Sequence, residues 1–124
     1  VFANLVDKKT NIIPNEGFVA IYGNSNKLTG SLPPNIINKN SIFESLEFFV
    51  KQNKMKVKFY CAPFCKDNEN KNYTTKLKAK IPGYFDFSKA IKDDKMFVNC
   101  NHLNASGAKL FTEIFTEQVL MGKQ

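Results

Sequence analysis

Phe97-Val98-Asn99-Cys100-Asn101-His102-Leu103-Asn104-Ala105-Ser106-Gly107-Ala108 is the stretch that decides the fold. An apolar pair, Phe97-Val98, gives way to polar residues and then to a helix start near Asn104 to Ser106. The pattern running towards Met121 has a helical period. Leu110, Ile114 and Phe115 form its inner stripe, extended by Leu103 or Ala108 before it and by Val119 after it. A histidine just ahead of a helix is held rigidly. A residue three positions before it can accept one ring N–H, fixing the tautomer and leaving the other nitrogen to exchange protons. His102 is the chain's one histidine, and Asn99 stands at that upstream position.

Upstream of this block, Tyr84-Phe85-Asp86-Phe87 reads as a short strand or extended segment. Lys56-Val57-Lys58-Phe59-Tyr60-Cys61-Ala62-Pro63 alternates and then turns continuously apolar before a proline, as a strand entering a covered sheet does. Residues 66–80 are polar, with Lys and Asn dominant, and predict a long surface excursion. Before the strand a helix opens at Ser41, with Glu44 completing a capping box. Ile42, Leu46, Phe49 and Val50 give it one apolar face, and the lysines from Lys51 to Lys54 suit its C-terminal dipole. Residues 23–40, rich in Gly, Asn, Ser and Pro, predict loop. Gly17 to Tyr22 predict a short strand between turns. Helix, strand, long loop, short strand, loop, helix describes an α/β domain of three layers, α/β/α, with a mostly parallel sheet. In such sheets ligands bind at the C-terminal strand ends, where the loops after Pro63 and around His102 would open.

The block at 97–108 resembles the last motif of the SGNH/GDSL hydrolases, a flavodoxin-like fold. In that motif an Asp and a His separated by two residues precede Leu, Asn and a Gly-Ala opening the final helix. Val57 to Phe64 is similar to the family's strand ending in a Pro-aromatic pair. Tyr84-Phe85-Asp86-Phe87-Ser88 resembles the stretch that precedes its His block. The resemblance covers roughly residues 40–120 and implies an incomplete, C-terminal part of one such domain. It implies an ester hydrolase or O-acyltransferase working by Ser-His chemistry on acyl esters, among them carbohydrate O-acyl groups, in an extracytoplasmic or cell-envelope setting. His102 would be the base. The chain departs from the family where Asn99 replaces the Asp. An amide oxygen can orient the ring but brings no charge to the imidazolium, and a comparable change in a serine-protease triad costs about 10⁴ in turnover.

The nucleophile has two readings. Phe18 to Ser25 looks like the family's Gly-Asp-Ser block with Asn24 in place of Asp, which would make Ser25 the nucleophile. Only about thirty residues separate Ser25 from the strand at Val57, too few for the family's intervening strands and oxyanion-hole blocks. The residues favour Ser25 in an ordinary Gly-Asn-Ser-Asn turn, with the nucleophile on a missing N-terminal portion. A catalytically degenerate binding or accessory domain is the competing function. A third reading is another open-sheet domain with an unrelated partner.

Composition narrows the field further. The 124 residues suit one domain spanning 1–124, and 43% hydrophobic with 23% charged residues is an ordinary globular balance. The net charge of +7 comes from lysine alone, without the guanidinium fork that reads bases and clamps phosphates, so a specific nucleic-acid module ranks last. No apolar run approaches the roughly 20 residues of a membrane-spanning helix. The opening residues carry neither an initiator Met nor a signal-peptide pattern, as expected of a mature form or a fragment. Cys61, Cys65 and Cys100 predict buried thiols, with a Cys65–Cys100 disulfide as the minority alternative. With one histidine they fall short of a zinc site, and no metal or cofactor is expected. Ser106-Gly107-Ala108-Lys109 matches a Ser-x-x-Lys string whose companions are missing, and a helix N-terminus explains it better. Asn104-Ala105-Ser106 is a glycosylation sequon in a eukaryotic secretory setting.

Overall fold

Phe97 is fully enclosed, and the elements are best described outward from it. In this computed structural model, which describes residues 19–24 and 28–122, it opens strand β5 (Phe97–Asn99). That strand turns back antiparallel on β6 (His102–Leu103), pairing Phe97 with Leu103 and Asn99 with His102. The other pairings are parallel: β1 (Gly30–Ser31) with β3 (Asn68–Glu69), and β2 (Tyr60–Cys61) with β4 (Phe85–Asp86). Three helices accompany them, α1 (Ser41–Gln52), α2 (Asn72–Lys80) and α3 (Ala105–Phe115), the last continuing as one wider turn over Thr116–Leu120. The protein is thus a mixed α/β chain. Among the described residues the expected single, mostly parallel sheet is replaced by three separate two-stranded pairings. No described helix is long and apolar enough to cross a membrane.

Aromatic packing welds the parallel pair to α3. The Tyr60 ring lies 4.8 Å from Phe115 and 6.1 Å from Phe111, and Phe87 stands edge-on to Phe111 at 5.5 Å. Such rings supply large apolar area, with about 0.5–1.5 kcal/mol per well-oriented pair beyond burial. The inner side of α3 runs through Gly107, Phe111, Phe115 and Val119; of the expected stripe Phe115 and Val119 lie on it, and Ala108 and Ile114 are half-buried. Leu110 points outward, 37% exposed. Gly107 permits a close approach, because a Cβ there would run into the Met96 carbonyl oxygen and the Leu103 side chain.

Several expectations are corrected locally. The cap of α1 is Asn40, one residue earlier than Ser41: its Oδ1 accepts from the N–H groups of Ile42 and Phe43, each at 3.1 Å. The apolar face of α1 is not buried against the described residues, and Ile42 and Phe49 remain exposed. Phe43, on its flank, reaches the Phe59 ring at 5.4 Å. The polar stretch 66–80 is no simple loop but holds β3 and α2. Its weak apolar periodicity hid a helix whose single buried residue is Thr74. The strand expected over Lys56–Pro63 shortens to Tyr60–Cys61. The strand expected at Gly17–Tyr22 is not formed in its described part: Val19 to Asn24 have no regular secondary structure and no sheet partner among the described residues, and Gly17 and Phe18 lie outside them.

The cysteines differ most from expectation. Cys65 and Cys100 form a disulfide across a sequence separation of 35 residues, and only Cys61 is a buried thiol. Gly30 packs against this bridge so closely that a Cβ on it would come within 2.9 Å of the Cys100 Cβ. The odd cysteine count resolves into one crosslink and one inert thiol. Burial pushes the Cys61 thiol up, a hydrogen bond with Tyr84 only partly opposing it, so it stays protonated.

Candidate active site at the Asn99–His102 hairpin

The turn Cys100-Asn101 brings Asn99 and His102 opposite each other on β5 and β6. Asn99 Oδ1 accepts the backbone N–H of Asn101 at 3.0 Å and lies 2.8 Å from His102 Nδ1. The first bond fixes the second. An amide turned the other way would set its NH2 against the Asn101 N–H, so the oxygen must face both groups. An oxygen that can only accept makes His102 Nδ1 the donor. The neutral ring therefore carries its proton on Nδ1 and presents Nε2 with a free lone pair, the arrangement a general base requires. The ring is exposed, leaving Nε2 accessible. What Asn99 does not supply is negative charge.

The hairpin tip is anchored from several directions. Cys100 is bridged to Cys65, whose N–H also donates to the Cys100 carbonyl at 3.0 Å. Asn101 Oδ1 accepts from the side chain of Asn68, a residue only 4% exposed, at 3.0 Å. Cys65 lies four residues beyond the end of β2. The bridge thus ties the hairpin to the C-terminal end of the parallel β2–β4 pair, although His102 itself stands on an antiparallel hairpin and not on the rim of a parallel sheet as expected.

Asn104 organises the other side. Its Oδ1 caps α3 by accepting from Gly107 N–H at 3.0 Å. Its Nδ2 donates to the Lys95 carbonyl at 2.6 Å and to the Gly23 carbonyl at 3.1 Å. Ala105 N–H donates to the Ile21 carbonyl at 2.8 Å. The bonds to Gly23 and Ile21 lay Ile21-Tyr22-Gly23-Asn24 alongside the His block. Ser25, the sequence's candidate nucleophile, lies outside the described residues.

The neighbouring acidic and hydroxyl side chains have other work. Asp93 accepts from Lys95 N–H and starts the 3-10 turn Asp94–Met96, and Asp94 pairs with Lys66 at 3.0 Å. Asp86 accepts from Ser88 N–H at 3.0 Å. Burial raises its pKa, but the hydrogen bonds from Ser88 and Thr74, with Lys78 nearby, outweigh this and hold it below the usual carboxylate range. Ser106 is an exposed residue in the first turn of α3, where a helix start accounts for it. Among the described residues no cluster of three His, Cys, Asp or Glu could hold a metal.

No protein-family model matches the chain, and no curated protein or solved structure matches it at a significant level. Of the three sequence candidates, His102 and Asn99 are in direct contact. Asn104, Asn68 and the disulfide were missed as site residues. Asn104 alone left a signal, since Asn followed three residues later by a helical N–H is the spacing of an N-cap.

Proposed function

We propose that the chain carries the base-bearing part of an SGNH-type ester hydrolase or O-acyltransferase, built on that family's three-layer architecture. In this reaction a serine oxygen attacks an acyl carbonyl while His102 Nε2 takes its proton. The imidazolium then returns that proton to the departing alcohol, leaving an acyl-serine. Water or an acceptor hydroxyl completes the transfer by the reverse route. Ser25, whose neighbours favour an ordinary turn, is the minority candidate for the nucleophile within this sequence, and carbohydrate O-acyl groups are the substrate class the resemblance implies. The observation that carries the proposal is the Asn99 amide oxygen, pinned by the Asn101 N–H and directed at His102 Nδ1. The hydrogen bonds that hold Gly23 and Ile21 against Asn104 and Ala105 add support, because Gly23-Asn24 directly precede Ser25. The disulfide fits an oxidising, extracytoplasmic setting.

The neutral Asn99 favours one second reading, a relative that has kept the hairpin and lost turnover. Labelling of the intact parent protein with a fluorophosphonate probe, together with an acetyl-ester assay of wild type, His102→Ala, Ser25→Ala and Asn99→Asp, separates the two. The catalytic reading expects labelling that His102→Ala abolishes, and a rise of up to about 10³–10⁴ in turnover for Asn99→Asp, as charge returns to the imidazolium. Absence of labelling and turnover in every form, Asn99→Asp included, would refute it and leave the binding role.

A further inference from the structure

A second feature stands at the C-terminal ends of the parallel pair, where open α/β sheets hold their ligands. Between the chain leaving β2 and the chain leaving β4 lies a hollow of about 240 Å3, with Ser88 and Ile91 in its wall and Lys66, Lys71, Lys89 and Lys92 around it. The walls are ordered: Ile91 is 5% and Ser88 8% exposed, and Ser88 Oγ lies 3.4 Å from Thr74 Oγ1. The acids close by neutralise one member of this ring, Lys66, and leave the other three. Asp94 pairs with Lys66, Asp67 faces the same ammonium, and Asp86 is directed at Ser88 and Thr74. The Lys71 ammonium donates to the Lys66 carbonyl, a dipole and not a charge. Among the described residues Lys71, Lys89 and Lys92 have no carboxylate partner within 4.0 Å.

Lysines scattered over a surface separate and hydrate. Gathered at one concavity with apolar walls, they concentrate a positive potential that an anion relieves. We propose that this hollow is a binding site for an oxyanion, a carboxylate, sulfate or phosphate group, with the Lys71, Lys89 and Lys92 ammoniums as counter-charges. It is smaller than the roughly 300–1,000 Å3 of a pocket for a drug-sized molecule, so it takes one anionic group and not the whole of a large ligand. Cys65 lines it and is bonded to Cys100, the residue after Asn99, so one disulfide links the anion site to the His102 hairpin. The site does not depend on the acyl-transfer reading, because its occupancy is measured without turnover.

The test is a 1H–15N titration of the full chain with inorganic phosphate and, separately, with D-glucuronate, at an ionic strength held constant with chloride. Saturable shifts confined to residues 64–66, 71 and 88–92 are expected. In the exposed double variant Lys89→Ala/Lys92→Ala the dissociation constant should rise about tenfold or more, with an unchanged melting temperature. Lys109→Ala, on α3, should bind as wild type does. Saturation by phosphate alone assigns a tetrahedral oxyanion, and saturation by glucuronate assigns a sugar acid or similar carboxylate. Shifts that stay linear with both anions, or an unaltered dissociation constant in the double variant, overturn the proposal.

Discussion

Removing the Cys65–Cys100 bridge is the perturbation whose size follows most directly from the structure. The bridge closes a loop of 35 residues. Chain-entropy treatment of such a loop gives about 13 cal/mol/K of entropy removed from the unfolded chain, or about 4 kcal/mol at 25 °C. At roughly 2.1 cal/mol/K per residue, unfolding 124 residues carries about 260 cal/mol/K, so the double variant Cys65→Ala/Cys100→Ala should melt about 15 °C lower. Both sulfurs are essentially inaccessible, at 1% exposure, so the truncation adds a small cavity cost in the same direction. Calorimetry of the oxidised wild type and the variant reads the difference. Alkylation of the denatured, unreduced protein provides a second check, with one reactive thiol, Cys61, expected. Three reactive thiols, or a melting shift under about 3 °C, would refute the reasoning: the first denies the bridge and the second denies that it restrains the unfolded chain.

Other substitutions probe the same architecture. Gly107→Ala should destabilise by about 1–3 kcal/mol in thermal melts despite alanine's better helix propensity, since the added methyl meets the Met96 carbonyl. Asn104→Ala should cost about 1–2 kcal/mol as the cap of α3 is lost, and backbone amide exchange at Ala105 should quicken as Gly23 is released. Asp86 has a folded-state pKa below its unfolded one, so its contribution is present above the ordinary carboxylate range and is lost as pH falls through about 4 and below. The stability gap between wild type and Asp86→Asn should therefore be full at pH 7 and shrink in melts taken from pH 5 down to pH 2.

The parts of this fold legible in the sequence are those fixed by neighbouring residues. Asn104 and the apolar positions after it mark α3, and the helix before Lys56 shows its period plainly. The structure shifts its cap by only one residue, because Asn40 and Ser41 are both competent caps and Asn40 is the better placed. Asn99 and His102 were legible as a pair because three residues is the span of a tight hairpin turn. What the sequence hid depends on distant partners. The two-residue strands β1 and β3 exist only through each other, and no local pattern marks so short a pairing. Helix α2 buries little beyond Thr74 and so lacks an apolar stripe to betray it. The Cys65–Cys100 disulfide was legible only as the minority alternative, because the proximity of its residues is settled by the path from β2 to β5, which the spacing of three cysteines does not encode.

The aromatic cluster between the β2–β4 pair and α3 also decides how this protein can be watched. With no Trp in the chain, its emission comes from four tyrosines, and Tyr60 sits against Phe111 and Phe115. Detachment of the final helix therefore alters the surroundings of a native fluorophore, giving an optical signal of that event without any engineered label.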